Sequence, residues 1–277
     1  MEHLRFHTDD TSRRSWRGRR FLRVKQDRTD LFFFGGGKVA ITPGGGQQLM
    51  VPASLIQSRS PVVEMLLGFA VSHAFALQGG VVLHAAAFEL EGRRVLSLGL
   101  SGGGKSTLAA AALRAGGRVV SDDLLLAGQD DAGFGRVEAL RKDLSLRAPS
   151  HRLLPPALAR RLSETNFAGE SRLMLQRQNC PECFMRGLRP DVILQTTVDR
   201  RLKKTRITPL TQADSLSVLI RSASPLFFSA RYPAERAAML PVLLRLAETI
   251  RGHRVRLGKD LMAAPETAMR ALLDELV

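Results

Sequence analysis

Apolar and polar positions along the chain alternate between strand-like and helix-like stretches. "LFFFGGGKVAITPGGGQQLM", residues 31–50, reads as two short strands joined and followed by triple-glycine turns. Residues 61–78 read as a helix with Pro61 in its first turn. "GGVVLHAAAFEL" and "EGRRVLSLGL" then predict two apolar strands linked by a tight Glu91-Gly92 turn. A helix runs from about Lys105 to Ala115 and stops at Gly116-Gly117. "RVVSDDLLLAG" reads as one strand, "QDDAGFG" as a turn and "RVEALRKDLSLRA" as a further strand. "DVILQTTV", 191–198, has strand composition. "PLTQADSLSVLIRSA" predicts a helix with Thr211 as N-cap and Asp214 three residues on. Helices over 234–251 and 265–276 flank a short "HRVRL" strand. Residues 151–188, rich in proline and arginine, read as irregular, a lid or an insertion. The order is mixed α/β.

Composition narrows the class. A chain of 277 residues suffices for one large domain or two small ones. Its longest apolar stretch, 61–90, is interrupted by Glu64, His73, Gln78 and the Gly79-Gly80 pair, so a buried helix followed by a buried strand is expected rather than a membrane span. "MEHLRFHTDDTSRRSWRGRR" lacks the apolar core of a signal peptide and reads as a basic arm. The two cysteines, Cys180 and Cys183 in "NCPECF", form no disulfide framework and fit a reducing cytoplasm. Their C-x-x-C spacing is half of a zinc site with no second half nearby, and no thioredoxin-like unit surrounds it, so ordinary loop cysteines are expected. The net charge of +15 draws on residues 1–28 and on "DRRLKKTR", 199–206, a surface that favours polyanions or is simply solvated. Nucleic acid is the weaker partner, because no run interleaves aromatic with basic residues.

The chemistry gathers at "GLSGGGKST", 99–107, which fits G-x-x-x-x-G-K-[ST]. Glycines let successive N–H groups curl inward onto phosphate oxygens, and the following helix adds its positive end. Lys105 would neutralise β- and γ-phosphates, and the Ser106 hydroxyl would hold Mg²⁺. An apolar run enters the loop and a helix-forming run leaves it, the strand–loop–helix setting this pattern needs. Asp122 and Asp123 follow seventeen and eighteen residues after Lys105, closing an apolar strand. One acid can serve Mg²⁺ and its neighbour can take a hydroxyl proton, whereas the plain alternative is a solvated turn. His84 lies on the strand before the loop strand. A histidine on an apolar strand is most often a satisfied core residue, but this position weighs toward function.

These residues in this order, across 83–126, resemble the catalytic core of the HPr serine kinase/phosphorylase family. A weaker likeness continues through "ALRKDLSLR", 139–147, and 191–220. The resemblance implies a P-loop core of the HPr kinase and phosphoenolpyruvate carboxykinase type, a mixed sheet with flanking helices. It implies ATP and Mg²⁺ at Gly99, Ser101, Gly102, Gly103, Gly104, Lys105, Ser106 and Thr107, with Asp122 and Asp123 in proton transfer and metal contact and His84 in support. The preferred split makes Asp122 the base and gives the metal to Asp123 with Ser106. Arg141, Lys142 and Arg147 are candidates for phosphate or substrate contact, against plain surface charge. The family's acidic-Arg-Gly signature is absent, and the first 80 residues do not resemble its N-terminal domain. The resemblance therefore points to divergent relatives, kinases acting on lasso-type precursor peptides or on small hydroxyl compounds.

The expected organisation is an arm over 1–30, a strand-helix region over 31–80 packing on the core, and a catalytic domain over 81–277. The expected activity is transfer of the ATP γ-phosphate to a hydroxyl, most readily serine, of a peptide or small molecule in the cytoplasm, with no membrane partner and homo-oligomerisation left open. The competing readings are a P-loop ATPase or switch acting through a partner without phosphotransfer, and a basic nucleic-acid-associated protein.

Overall fold

The computed structural model describes residues 78–129, 133, 135–140, 143–147, 149–167, 170–223 and 233–276, together with Ser72, Phe75, Ala76 and five short strands in the first fifty residues. Those strands are β1 (Leu4–His7), β2 (Phe21–Val24), β3 (Thr29–Phe32), β4 (Lys38–Ile41) and β5 (Gln47–Met50), in one sheet of order β1-β5-β4-β3-β2. Sequence reading finds two strands near residues 31–50; the sheet has three between 29 and 50 and two more within the expected arm. Of the expected helix over 61–78, only Ser72, Phe75 and Ala76 are described as helical; the rest lies outside the described residues.

A nine-stranded mixed sheet carries the main core. Its strands are β6 (Val81–Leu90), β7 (Arg93–Leu98), β8 (Arg118–Ser121), β9 (Leu124–Gln129), β10 (Gly135–Ala139), β14 (Gly187–Leu188), β15 (Val192–Val198), β16 (Arg206–Pro209) and β17 (Arg251–Leu257). Their order is β14-β10-β9-β6-β7-β15-β17-β16, with β8 also paired to β6. β7, β15 and β17 are parallel, whereas β6 and β16 run against their neighbours.

Helices cover both faces, which explains why β6 reads as continuously apolar. Val81, Leu83, Ala85 and Ala87 join one core cluster with α3 (Gln212–Ser222) and α4 (Pro233–Thr249), through Leu219, Met239 and Leu243. Ala86, Phe88 and Leu90 face the other cluster, with α1 (Lys105–Arg114) and α6 (Pro265–Asp274), through Leu108, Met269 and Leu272. From Leu108 to Leu113 every α1 side chain is buried, so this helix is apolar all round rather than amphipathic. The cap of α3 is as its sequence implies, with Thr211 Oγ1 accepting from the Asp214 N–H at 3.1 Å.

Three expectations are corrected. "RVVSDDLLLAG" is two strands, β8 and β9, because β8 ends at Ser121 and the chain turns through Asp122-Asp123 before β9 pairs with β6. "RVEALRKDLSLRA" is likewise two, β10 in the main sheet and β11 (Leu144–Leu146) in a separate one. Residues 151–188 are not irregular: α2 (Pro156–Ala159), β12 (Ser163–Phe167) and β13 (Glu170–Leu175) form there, and β11-β13-β12 make a three-stranded antiparallel sheet. Leu153, Leu154, Leu175 and Phe184 bury this segment against α1's cluster, so its apolar residues, sparse in sequence, are spent on one face.

The cysteine expectation also changes. Cys180 and Cys183 are joined by a disulfide, their Cα atoms 5.6 Å apart across a single turn of 3₁₀ helix. The cysteine count therefore stops arguing for a reducing compartment, and the C-x-x-C pair offers no free thiolate for zinc. Among the described residues no helix is long and apolar enough to cross a membrane.

One ion pair fastens the bottom of the parallel strands. Asp191, just before β15, accepts from the Arg94 backbone N–H at 3.0 Å and from its Nε at 3.0 Å, with a third contact to Nη2. Burial works to raise the Asp191 pKa, but the Arg94 hydrogen bonds and charge outweigh it and hold the carboxyl below the ordinary value. A depressed folded-state pKa means stability present at neutral pH and lost as pH falls below the ordinary carboxylate range. Asp191→Asn should therefore cost about 1 kcal/mol at pH 7, discounted for partial exposure. The same substitution should cost less at pH 3, measured by urea unfolding at both values.

Candidate active site

Gly99 follows β7, and the chain curls through the glycine-rich loop into α1. The loop is pressed onto the neighbouring strand. A Cβ on Gly99 would lie 2.5 Å from the Thr196 carbonyl oxygen, and one on Gly103 would lie 2.9 Å from both the Leu100 and Thr196 carbonyl oxygens. Thr196 is itself fully buried and donates its hydroxyl to the Leu98 carbonyl at 3.1 Å, so the wall behind the loop is rigid. The Gly103 N–H donates back to the Leu100 carbonyl at 2.9 Å and closes the curl. Gly104 takes φ 97° at the N-cap of α1, and no side chain caps that helix end. Its first-turn amides thus face the loop's hollow, where an anion would complete them.

Lys105 is 5% exposed, and its Nζ donates to the Gly99 carbonyl at 2.8 Å and the Leu100 carbonyl at 3.2 Å. Burial pulls its ammonium below the ordinary lysine value, opposed by Asp123 and then Asp122. The loop opens onto a cleft of about 750 Å³ lined by Ser101 to Thr107, His84, Asp122, Asp123 and Arg147. Sequence reading thus places its main candidates in one cavity. Gly99 contributes its carbonyl to Lys105, while Arg141 and Lys142 lie outside the described residues. The Thr107 hydroxyl lies 3.0 Å from Ser150 Oγ, tying the helix start to the chain that follows β11.

The two aspartates differ sharply. Asp122 is 4% exposed and accepts the Ser145 N–H at 3.1 Å on Oδ1, a contact that locks it against β11. Asp123 has a side chain 35% exposed, with His84 Nε2 3.6 Å from its Oδ1. The strand carrying His84 is buried on both sides from Val81 to Phe88 except at this one residue, whose side chain is 46% exposed. It is therefore not the satisfied core histidine that its apolar neighbours suggest. Burial, then the Lys105 charge, push the His84 pKa below its ordinary value, and Asp123 pulls the other way without prevailing. Both burial and Lys105 thus favour the neutral imidazole.

The cleft has two halves, set by strand order. β15 and β17 lie to one side of β7, and their ends with the turn before α5 (Asp260–Ala263) bring Val198, Leu257, Leu261 and Met262 to the cavity, with the charged Asp199, Arg200 and Lys259 among them. β6 and β8 lie to the other side, with the acid pair and the small β11-β13-β12 sheet. Arg172, Thr165, Arg200 and Lys259 also line the cavity and escape sequence reading. The only signal for Arg172 and Thr165 is period-two alternation in β12 and β13, strands that a Pro- and Arg-rich stretch conceals.

No protein-family model matches the chain. No curated protein matches it either. A solved structure, that of the Hpr(Ser) kinase/phosphatase from Coxiella burnetii, is similar with a TM-score of 0.35 at 11% identity, over 70% of this chain and 97% of that one. A likeness of that size says nothing of what this chain binds or transforms.

Proposed function

We propose that residues 81–277 form a kinase of the HPr kinase type, which transfers the γ-phosphate of ATP to a hydroxyl, most readily serine, of a peptide or small molecule. The observation that carries this reading is the shared cleft, in which a glycine loop with its buried lysine opens onto a half-buried aspartate beside a histidine. A loop for phosphate alone fits an ATPase or switch; a proton acceptor facing it fits transfer to an alcohol.

The residues suit the groups they would hold. The cavity has the size of a nucleotide site, and Val198, Leu257, Leu261 and Met262 offer it apolar surface for a base. The close backbone approach at Gly99 and Gly103 suits a cradle of N–H groups around phosphate oxygens. Ser106, Asp122 and Asp123 supply oxygen ligands, which suit a hard cation such as Mg²⁺. When bound, Mg²⁺ would offset charge on the β- and γ-phosphates.

In transfer, Lys105 turns from the Gly99 and Leu100 carbonyls toward the phosphates and, with the loop amides, stabilises charge on the migrating group. Asp123 accepts the acceptor's O–H proton as the oxygen bonds to the γ-phosphorus and the bond to the β-phosphate oxygen breaks, releasing ADP. Neutral His84 leaves the Asp123 carboxylate able to take that proton, where an imidazolium would hold it in an ion pair. Asp122, buried and fixed by Ser145, is the better metal ligand. This reverses the split preferred from sequence, because exposure rather than chain order separates the two acids.

Mass spectrometry tests the reading. Incubation with ATP, Mg²⁺ and a panel of serine-containing peptides and small hydroxyl compounds should give an acceptor heavier by one phosphate, together with ADP. Hydrolysis to ADP and inorganic phosphate with no phosphorylated acceptor would instead favour the ATPase reading.

A further inference from the structure

The β16 end of the main sheet presents a polar face to solvent. In β17 the exposed Arg254 faces Gln195 of β15 and Thr208 of β16, and the exposed Arg256 faces Thr197 and Arg206. Their spacing of two residues puts these side chains on one face. The turn between β15 and β16 continues the surface and is tied down along its length. The Asp199 N–H donates to the Leu257 carbonyl at 2.9 Å, the Lys259 N–H to the Leu202 carbonyl at 3.0 Å, and the Asp260 N–H to the Lys203 carbonyl at 3.1 Å. Asp260 in return accepts the Thr205 N–H at 2.8 Å and its hydroxyl at 2.9 Å.

Both acids of this edge are therefore occupied in building it. Asp260 holds Thr205, while Asp199 accepts the Arg201 N–H at 2.9 Å and pairs with Arg256. Arg200, Arg201, Lys203, Lys204, Arg206 and Lys259 are exposed, and among the described residues none has an acid within ion-pair distance. Arg94, Arg114, Arg118 and Arg161, by contrast, each meet a carboxylate. The positive charge of this edge is held in place without being neutralised, and an anion spanning it relieves the mutual repulsion.

Position and chemistry narrow the anion. Arg200 and Lys259 also line the cleft, so a ligand lying along the edge leads into it. Leu100 on the glycine loop, with Val198 and Met262 of the cleft lining, adds exposed apolar side chains at the same mouth. No Phe, Tyr or Trp lies in 191–210 or 251–262, so nucleic-acid bases would find no ring to stack on. A polypeptide that mixes acidic and apolar side chains matches both features.

We propose that this edge docks an acidic segment of a polypeptide phosphate acceptor, whose hydroxyl-bearing residue continues past Arg200 and Lys259 into the cleft; this rests on the kinase reading above and selects a peptide over a small hydroxyl compound. Docking outside the cleft leaves the loop and the acid pair free for transfer. Acceptor affinity and chemistry are then set by different residues.

Fluorescence anisotropy on the full chain at low salt tests this, with a labelled peptide of alternating glutamate and serine. It should bind with Kd below roughly 100 μM, and a peptide with glutamine in place of glutamate at least about tenfold more weakly. Lys203→Glu with Lys204→Glu should weaken the acidic peptide by about tenfold or more, while affinity for a non-hydrolysable ATP analogue stays within about twofold. Arg236→Glu with Arg245→Glu, exposed on α4, makes the same change in net charge and should weaken the peptide by less than about threefold. Equal losses in the two double variants would mean bulk attraction and overturn the proposal, as would no loss in either. Tighter binding of a duplex oligonucleotide or of phosphatidylserine vesicles, lost with Lys203 and Lys204, would assign the edge to that anion and overturn the peptide. Phosphate gained by the peptide is read separately. A peptide held through Lys203 and Lys204 that gains none upholds the docking edge while the kinase reading fails; equal kcat/KM in both double variants rejects the edge while that reading stands. Thermal unfolding checks that the variants fold; should the reversed pair not fold, Lys203→Gln with Lys204→Gln carries the comparison.

Discussion

Asp123→Asn should lower phosphoryl transfer by about 10³-fold and leave nucleotide affinity within about twofold. Asparagine keeps the shape of the side chain and cannot take a proton. The site around Asp123 is open enough, at 35% exposure, that the change buries no unpaired group. Asp122→Asn should behave differently. That carboxylate is nearly sealed and accepts a backbone N–H, so its replacement puts an amide where a carboxylate acceptor and, on the proposed reading, a metal ligand stood. Metal-dependent nucleotide affinity and transfer should then fall together. Single-turnover transfer, with analogue binding measured separately, distinguishes the two patterns. If Asp122→Asn abolished transfer with binding intact while Asp123→Asn kept its rate, the two roles would be inverted. If neither changed transfer, no general base would lie in this pair.

Much of this site is legible in the sequence because its parts are local. The strand into the loop, the loop and the helix out of it lie within 93–114, and each obeys its own short-range rule. Thr211 with Asp214 is equally local, and the expected cap forms. What stays hidden depends on partners distant in sequence. A continuous apolar run through "RVVSDDLLLAG" looks like one strand, yet β8 and β9 pair with different stretches of β6, and the chain must break at the acids to do so. Which aspartate is exposed follows from Ser145, twenty-three residues on, reaching Asp122 rather than Asp123. Arg172 enters the cleft only through the register of β13 with β11 and β12. His84 shows the same limit from the other side. Its neighbours argue for burial, and only its position facing the cleft exposes it.

Gly103→Ala should damage nucleotide binding far more than the same methyl added one residue earlier. The Cβ would sit 2.9 Å from two carbonyl oxygens, Leu100 and Thr196, and both belong to backbone. Neither can swing aside as a side chain could. Leu100 is held by the Gly103 N–H itself, and Thr196 lies on β15, paired on one side to β17 and tied to Leu98 through its hydroxyl. The loop must therefore lift from the strand, and its N–H groups lose the inward aim that a phosphate needs. Nucleotide affinity should fall by about 10²-fold, close to 3 kcal/mol, with about 1–3 kcal/mol lost from folding stability. Gly102→Ala is the control. That glycine has φ +77° but open space within 4 Å of its would-be Cβ, so it bears only the cost of a left-handed backbone. Its effect on stability should be about 1 kcal/mol, and its nucleotide affinity should drop by less than about tenfold. Equilibrium binding of a fluorescent ATP analogue, run beside urea unfolding, ranks the two. Equal losses in both variants would mean that backbone conformation, not contact with β15, shapes the loop, and a Gly103→Ala chain that binds normally would remove the strand behind the loop from the account of how phosphate is held.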